Sequence, residues 1–434
     1  MNVRGIEIKK ACLFFLYVSI MFAPLRCYGF VVGGVNFSIF RIAGLIMIFL
    51  YFLSYRTVNF NSFTSIIALL FIITVLQSSY SPSISGSRSS FISQAYGYIW
   101  IFFACQIISR TEDFEVVNKV ILYSSIFPLT LGLYQWIMFK SSGRVPDLPF
   151  GFMVSSQGKL GLTYNVFIRI TSCFGDPAYM TTFFVGVFSI AFQSILSGSN
   201  NGKRRLIRFL SFWIIVLIVI ETIMSISVSG MVGLVVSLLL LILYNIDKMK
   251  KFKKLFFVLL LLGIGFAIYF MSSGSELIDI VRFKVSNTSQ TYTNMYGRSN
   301  YIKNGLNVWL THPIIGGGFG SLSINGSFSS AHSSLLTVLG QQGIVIFFLN
   351  VLILMFYPIN IQKKLKSMGK QNTLNYFYGS FIGLISVLVL TLGYDTLYSL
   401  DFCYVLIALV NSYGIVLQRN LYDQKEIVPV SIVK

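Results

Sequence analysis

"SLLTVLGQQGIVIFFLNVLILMFYP", residues 334–358, carries no charged side chain. As a helix it would extend about 37 Å, more than the roughly 30 Å hydrocarbon core of a bilayer. The residues after it turn basic, "KKLKSMGK" at 363–370, and those before it are rich in Gly and Ser, "THPIIGGGFGSLSINGSFSSAH" at 311–332. An uncharged run with Lys on one side and a polar loop on the other reads as a membrane-spanning helix, its basic end in the cytoplasm.

The same pattern recurs along the chain. Of its residues, 55% are hydrophobic and 11% charged, and the mean hydropathy is +0.76. That composition excludes an ordinary soluble domain. Apolar runs at 12–25, 35–54, 60–78, 91–109, 116–139, 178–197, 209–224, 229–246, 255–272, 334–358, 374–393 and 398–418 predict an all-α, polytopic integral membrane protein with about twelve transmembrane helices. No repeat, linker or low-complexity tract divides it, so residues 1–434 are read as a single transmembrane domain. The first run follows "MNVRGIEIKK" and lacks a small-residue cleavage site before the second, so it is read as a retained span.

Most of the 33 Lys and Arg fall on one side if the N-terminus is cytoplasmic. The clusters "KRRLIR" at 203–208 and "KMKKFKK" at 248–254 share that side with "KKLKSMGK". Both termini are then expected in the cytoplasm, and two long loops, 140–177 and 273–333, on the outer face. The net charge of +19 reads as topology and attraction to anionic membrane lipids. Nucleic acid is not an expected partner, since no basic soluble domain is present.

Loops of this length are usually functional. The larger one holds both histidines of the chain, His312 and His332. Within it "GRSNYIKNGLNVWLTHP" spaces Ile302, Leu306, Trp309 and Leu310 helically, predicting a short helix in the membrane interface anchored by Trp309 and stopped at Pro313. "GGGFG", Gly316 to Gly320, allows positive φ and close backbone approach to a ligand, or makes a plain turn. "SSAHSSLLTVLG" then predicts a helix capped by Ser329 or Ser330, with His332 in its first turn. There the helix dipole disfavours an imidazolium, so His332 is either a general base or a hydrogen-bonded structural histidine. His312, beside Pro313, reads as a helix-stop residue.

The smaller loop ends "YNVFIRITSCFGDPAYMTTFF". Asp176-Pro177 suits the N-cap and first position of the next helix. Arg169 sits beside hydrocarbon, and Arg298 is its counterpart in the larger loop. Two arginines at membrane level either snorkel to headgroups or bind phosphate oxygens bidentately, as a lipid-linked diphosphate would require. The histidines, twenty positions apart with Glu276 and Asp279 as loop carboxylates, lack metal-ligand spacing. No metal or cofactor is expected. The cysteines at 12, 27, 105, 173 and 403 form no ligand motif either.

In order, Arg169, Phe174, Asp176 and Pro177; Arg298; His312, Pro313, Gly316 and Gly318; and Ala331, His332, Leu335, Gly340, Gly343 and Ile344 resemble the motifs of the O-antigen polymerase and ligase superfamily, over residues 165–358. The sequence departs from the family pattern at "SVSGMVG", where no Arg follows Ser229, and at Ser333, where Asn is common. The resemblance implies a metal-independent glycosyltransferase of the bacterial inner membrane, acting at the periplasmic face. Its substrates would be polyprenyl-diphosphate-linked oligosaccharides, and a chain-length regulator and a flippase would be further partners. His332 would be the catalytic base and Arg169 and Arg298 the diphosphate ligands. Asp176 would orient one of them, and His312, Gly316 and Gly318 would line the substrate site. "SCFGDPAYMTTFF" is closer to polymerases of the Wzy type than to ligases, which transfer glycan to lipid A core. A flippase would need ionisable groups inside spans. Arg41 and Glu221 are the main candidates.

Overall fold

The computed structural model describes residues 3–25, 28–32, 35–55, 57–82, 84–111, 113–142, 162–164, 167–197, 202–225, 227–245, 288–322, 330–369 and 371–426. The run expected at 255–272 lies outside them. Helices α1 (Val3–Phe22), α2 (Ile39–Ser54), α3 (Ser62–Gln77), α4 (Ile84–Thr111), α5 (Phe114–Ser124), α6 (Ile126–Ser142), α7 (Pro177–Leu196), α8 (Gly202–Met224) and α9 (Val228–Tyr244) precede the gap. After it come α10 (Thr288–Thr311), α11 (Ser334–Val351), α12 (Tyr357–Ser367), α13 (Gln371–Thr391) and α14 (Asp401–Glu426). Among the described residues eight helical stretches are long and apolar enough to cross a membrane, and α2 and α9 are shorter apolar helices. The protein is a multi-pass helical membrane protein, and the eight spans leave the expected count of twelve an expectation.

Two expectations change. The chain is not purely helical: β1 (Gly29–Val32) pairs antiparallel with β2 (Val35–Ser38), and β3 (Leu162–Tyr164) with β4 (Phe167–Arg169). The short interface helix is a 24-residue helix, α10.

Interruptions in the helices follow the sequence. Pro128 lacks a donor and would clash with the carbonyl of residue 124, so the run at 116–139 breaks at Ser125 into α5 and α6. A π turn, Leu352–Phe356, precedes Pro358 in the same way. The core gathers around α7, buried along nearly its whole length, and α14, buried from Asp401 to Leu417. By contrast α3, α8 and α9 expose Leu, Ile, Val, Phe and Trp side chains. In water such a surface would be unstable; in a bilayer it is the lipid face.

The break in α11 has a different cause. Gly343 takes φ 80°, ψ 179°, outside the helical region, and its orphaned backbone groups are met by the residues after α10. Ile344 N donates to Pro313 O, Gly317 N to Gly340 O and Gly318 N to Gln341 O, each at 2.9 Å. Gln77 Nε2 donates to Ile315 O (2.9 Å) and Gln342 O (3.0 Å), and the Gln342 and Gln94 amides bond each other in both directions. Backbone without helical bonds is tolerated in an apolar environment when protein groups satisfy it. The "GGGFG" loop and "GQQG" are therefore two halves of one clasp.

Candidate functional site

Three chain segments distant in sequence meet at the end of the bundle where α7, α11 and α14 begin. The first is the head of α7. Asp176 is its N-cap, Oδ1 accepting from Ala178 N at 2.6 Å, with Pro177 at the first helical position. The turn before it is tightly held. Ser172, at φ 51°, donates its N–H to Gln135 Oε1 and accepts from Gln135 Nε2, both at 2.9 Å, while its Oγ donates to Pro128 O at 2.6 Å. Gln135 of α6 thereby fixes the path between Arg169, the last residue of β4, and Asp176.

The second segment is the turn into α11. Ser333, not Ser329 or Ser330, occupies the N-cap position, so His332 precedes the helix rather than lying in its first turn. The reason is local: Ala331 N donates to Thr337 Oγ1 (3.2 Å) and His332 N to Ser330 Oγ (3.3 Å), folding residues 330–333 back on the first turn. The fold sets His332 at φ 52°, a left-handed conformation that a non-glycine residue adopts at a cost of about 1–2 kcal/mol.

The third segment, residues 392–400 between α13 and α14, joins the other two. Tyr394 Oη donates to Asp176 Oδ2 at 2.8 Å, and its ring lies 6.1 Å from the His332 ring and 5.9 Å from that of Tyr179. Ser334 Oγ donates to Tyr394 O and accepts from Thr396 N and Leu397 N, both at 3.0 Å. Asp395 Oδ2 accepts from Thr337 Oγ1 at 3.1 Å. Its enclosed carboxyl is raised above the usual Asp range by desolvation, against the lowering by hydrogen bonds from Thr337, Ser334 and Ser330. On the other side of His332 stands Tyr301 of α10, ring centroids 4.7 Å apart. Gly305, one turn on, lets α10 close against Ala331 and Leu336.

The structure thus brings Asp176 and His332 together through Tyr394. Arg298 lies in α10 one turn before Ile302, and Arg169 ends β4; the side chains of both fall outside the described residues. His312 is not brought in. It follows the last residue of α10, about 16 Å along the helix axis from Tyr301, is exposed, and its Nδ1 is 3.0 Å from Thr311 Oγ1. Gly316 and Gly318 are buried in the clasp. A Cβ on Gly316 would fall 2.4 Å from the Gln341 and Gln342 backbone.

Sequence reasoning missed Tyr301, Tyr394 and Asp395. The visible signal was an aromatic and an acid side by side in the short connection "GYDTLYS", which reads as a mere link between two spans.

The intramembrane charges are accounted for differently. Arg41 is 5% exposed, bonds Ser93 Oγ at 2.6 Å and Asn36 O at 2.9 Å, and lies 3.7 Å from Asp401. It is part of a buried ion pair, in which Arg41 Nε and Asp401 Oδ1 make no hydrogen bond among the described residues. Glu221 of α8 is fully buried against Gly132 of α6, and neither carboxyl oxygen has a hydrogen-bond partner among the described residues.

Comparison with known proteins adds one finding. No curated protein matches the chain. Residues 210–351 match the family model described as O-antigen ligase, a segment that contains Arg298, His312, Gly316, Gly318 and His332. The matched segment is about a third of the chain and overlaps the residues whose motifs resemble the O-antigen polymerase and ligase superfamily, so both similarities fall on the same region.

Proposed function

We propose that the protein is a surface-polysaccharide polymerase that joins polyprenyl-diphosphate-linked oligosaccharide units at the periplasmic face of the inner membrane, with both termini cytoplasmic. A hydroxyl of the acceptor sugar attacks the anomeric carbon of the donor glycan. The new glycosidic C–O bond forms as the bond to the diphosphate breaks, and the diphosphate leaves with the electron pair. His332 takes the hydroxyl proton. Arg169 and Arg298 bind the diphosphate and offset the charge that grows on it. Asp176, held by Tyr394, orients the base. Gly316 and Gly318 act by shaping the clasp that seats α10 and α11, and His312 marks the outer limit of the site.

The observation that carries this reading is the meeting of Asp176, Tyr394 and His332. Motif residues separated by more than 150 positions converge on one point, and His332 is kept there in a strained backbone conformation. Strain of this kind persists where the surroundings impose it, and it clusters at functional sites.

A ligase reading stands second, since the matched family model carries that description. In it the same residues transfer a finished glycan to lipid A core. A flippase is disfavoured by the pairing of Arg41 with Asp401, which ties up one of the two candidate residues, Arg41 and Glu221.

A gel of surface glycolipid from a deletion strain tests all three. Core bearing a single repeat unit, restored to a ladder by the wild type and not by His332→Ala, is expected for a polymerase. Bare core with polymer retained on the polyprenyl carrier would establish the ligase, and units trapped in the cytoplasm the flippase. Transfer by purified protein that is abolished by chelation of divalent ions would overturn the metal-independent scheme.

A further inference from the structure

Stability alone does not explain the charged pair at the heads of α2 and α14. Arg41, in the first turn of α2, and Asp401, the first residue of α14, are both buried and lie 3.7 Å apart. Taking two charges out of water is costly, and an apolar pair of similar volume is often as stable. What distinguishes this pair is its reach. Arg41 Nη1 donates to Asn36 O of β2 at 2.9 Å and Nη2 to Ser93 Oγ of α4 at 2.6 Å, so two further elements fix the planar fork that faces Asp401. Ser38 Oγ, at the N-cap position of α2, donates to the other carboxyl oxygen of Asp401 at 3.5 Å.

Asp401 ends a short, internally bonded unit whose other end is Tyr394. Within it Ser399 Oγ donates to Asp395 O at 2.7 Å and Leu400 N to Thr396 O at 3.0 Å. Tyr404, in the first turn of α14, has its Oη 2.8 Å from Tyr398 O and 3.2 Å from Ser93 O. It thereby ties the unit to the same α4 residue that holds Arg41. At the Tyr394 end the unit is bonded to Ser334 of α11 and to Asp176 at the head of α7. With the chain between so bonded, α14 cannot slide or turn at Asp401 without moving Tyr394 or breaking these bonds.

We propose that Arg41 is a positioning residue for the site formed by Asp176, Tyr394 and His332, acting through Asp401 and the connection that leads into α14. It sets the height and rotation of α14 against α2, α4 and the β1–β2 hairpin, and with them the place where Tyr394 meets Asp176. That the aligned site transfers glycan rests on the functional reading above; that Arg41 sets the alignment rests on the contacts alone. A charge pair suits this task better than apolar packing. Leu or Met side chains repack with small displacements, whereas a forked cation held at two points and facing a third has one arrangement.

The test uses the full chain in lipid nanodiscs, with meta-fluorotyrosine at position 394 as a fluorine NMR reporter of the bond to Asp176. Asp176→Asn gives the reference resonance for that bond when weakened. Arg41→Met with Asp401→Asn removes both charges at little change in volume and leaves no lone buried ion. Its 394 resonance is expected to move toward that of Asp176→Asn, while its unfolding temperature stays within a few degrees of wild type. In the unlabelled chain the same pair of substitutions is expected to lower kcat for polymer formation about tenfold and to change KM less than about threefold. A resonance and a kcat both unchanged from wild type would overturn the proposal. If the double variant does not fold, Arg41→Lys decides, since it keeps the charge beside Asp401 and loses the fork. A displaced 394 resonance in that variant supports the positioning role, and an unmoved one overturns it. Displacement in a chain whose wild type forms no polymer would support the alignment and overturn only the functional reading.

Discussion

Replacing Tyr394 by Phe isolates the contact on which the site reading depends. The substitution deletes the hydroxyl that donates to Asp176 Oδ2 at 2.8 Å and keeps the ring against His332 and Tyr179. Asp176 keeps its cap, since Oδ1 still accepts from Ala178 N. A hydrogen bond to a carboxylate contributes about 1.5–3 kcal/mol. If the bond holds Asp176 and His332 in register as the proton moves, its loss appears in the barrier at one factor of ten per roughly 1.4 kcal/mol. The expected outcome is a fall in kcat of about tenfold to 150-fold, with KM changed less than about threefold. Unfolding temperature should move by only a few degrees. The assay is polymer formation by purified protein in vesicles supplied with lipid-linked repeat units. Asp176→Asn makes the comparison sharper, because Asn is as good an N-cap as Asp and removes only the charge. If Tyr394→Phe stays within twofold of wild type and Asp176→Asn is fully active, capping is all that Asp176 does and the orienting role is wrong.

Other outcomes follow from the same geometry. His332→Gly and His332→Ala should both lose transfer, yet the Gly variant should be the more stable by about 1–2 kcal/mol in denaturant unfolding, because only it relieves φ 52°. Gly343→Ala puts a Cβ 2.2 Å from Ile314 O and 2.5 Å from Gly316 N, so folded yield in membranes should collapse; Gly369→Ala, at φ 65° with nothing within 4 Å, should cost only about 1 kcal/mol of thermal stability. The folded state holds the Asp395 proton to higher pH than the unfolded chain, so between the two pKa values it binds more protons and Asp395 adds stability as pH falls. Asp395→Asn should flatten that component of the unfolding profile above about pH 4, measured up to pH 7; an unchanged slope would show that the carboxyl is not enclosed. Glu221→Gln should retain polymer formation, whereas loss of unit translocation would favour a carrier.

Eight of the expected spans were legible because a bilayer asks only for length and apolarity, which "SLLTVLGQQGIVIFFLNVLILMFYP" states plainly. Asp176-Pro177 was legible for a similar reason: an N-cap is decided by its nearest neighbours. What escaped was long-range. The sequence shows glycines at 316 and 343 but not that one loop supplies the hydrogen bonds the other helix lacks. The displacement of the cap to Ser333 depends on Thr337 reaching back to Ala331, a competition between local hydrogen bonds that position alone does not rank. Tyr394 was hidden by the brevity of its connection, since its importance lies in partners some 60 and more than 200 residues away.

That same connection bears on biosynthesis. Residues 392–400 are made after every other segment of the site, and they become fixed only when α14 follows them into the membrane. A nascent chain that already holds Asp176 and His332 lacks Tyr394, which touches both. On the proposed function, a chain cut short before α14 carries the motif residues without the contact that joins them, and it is expected to form no polymer.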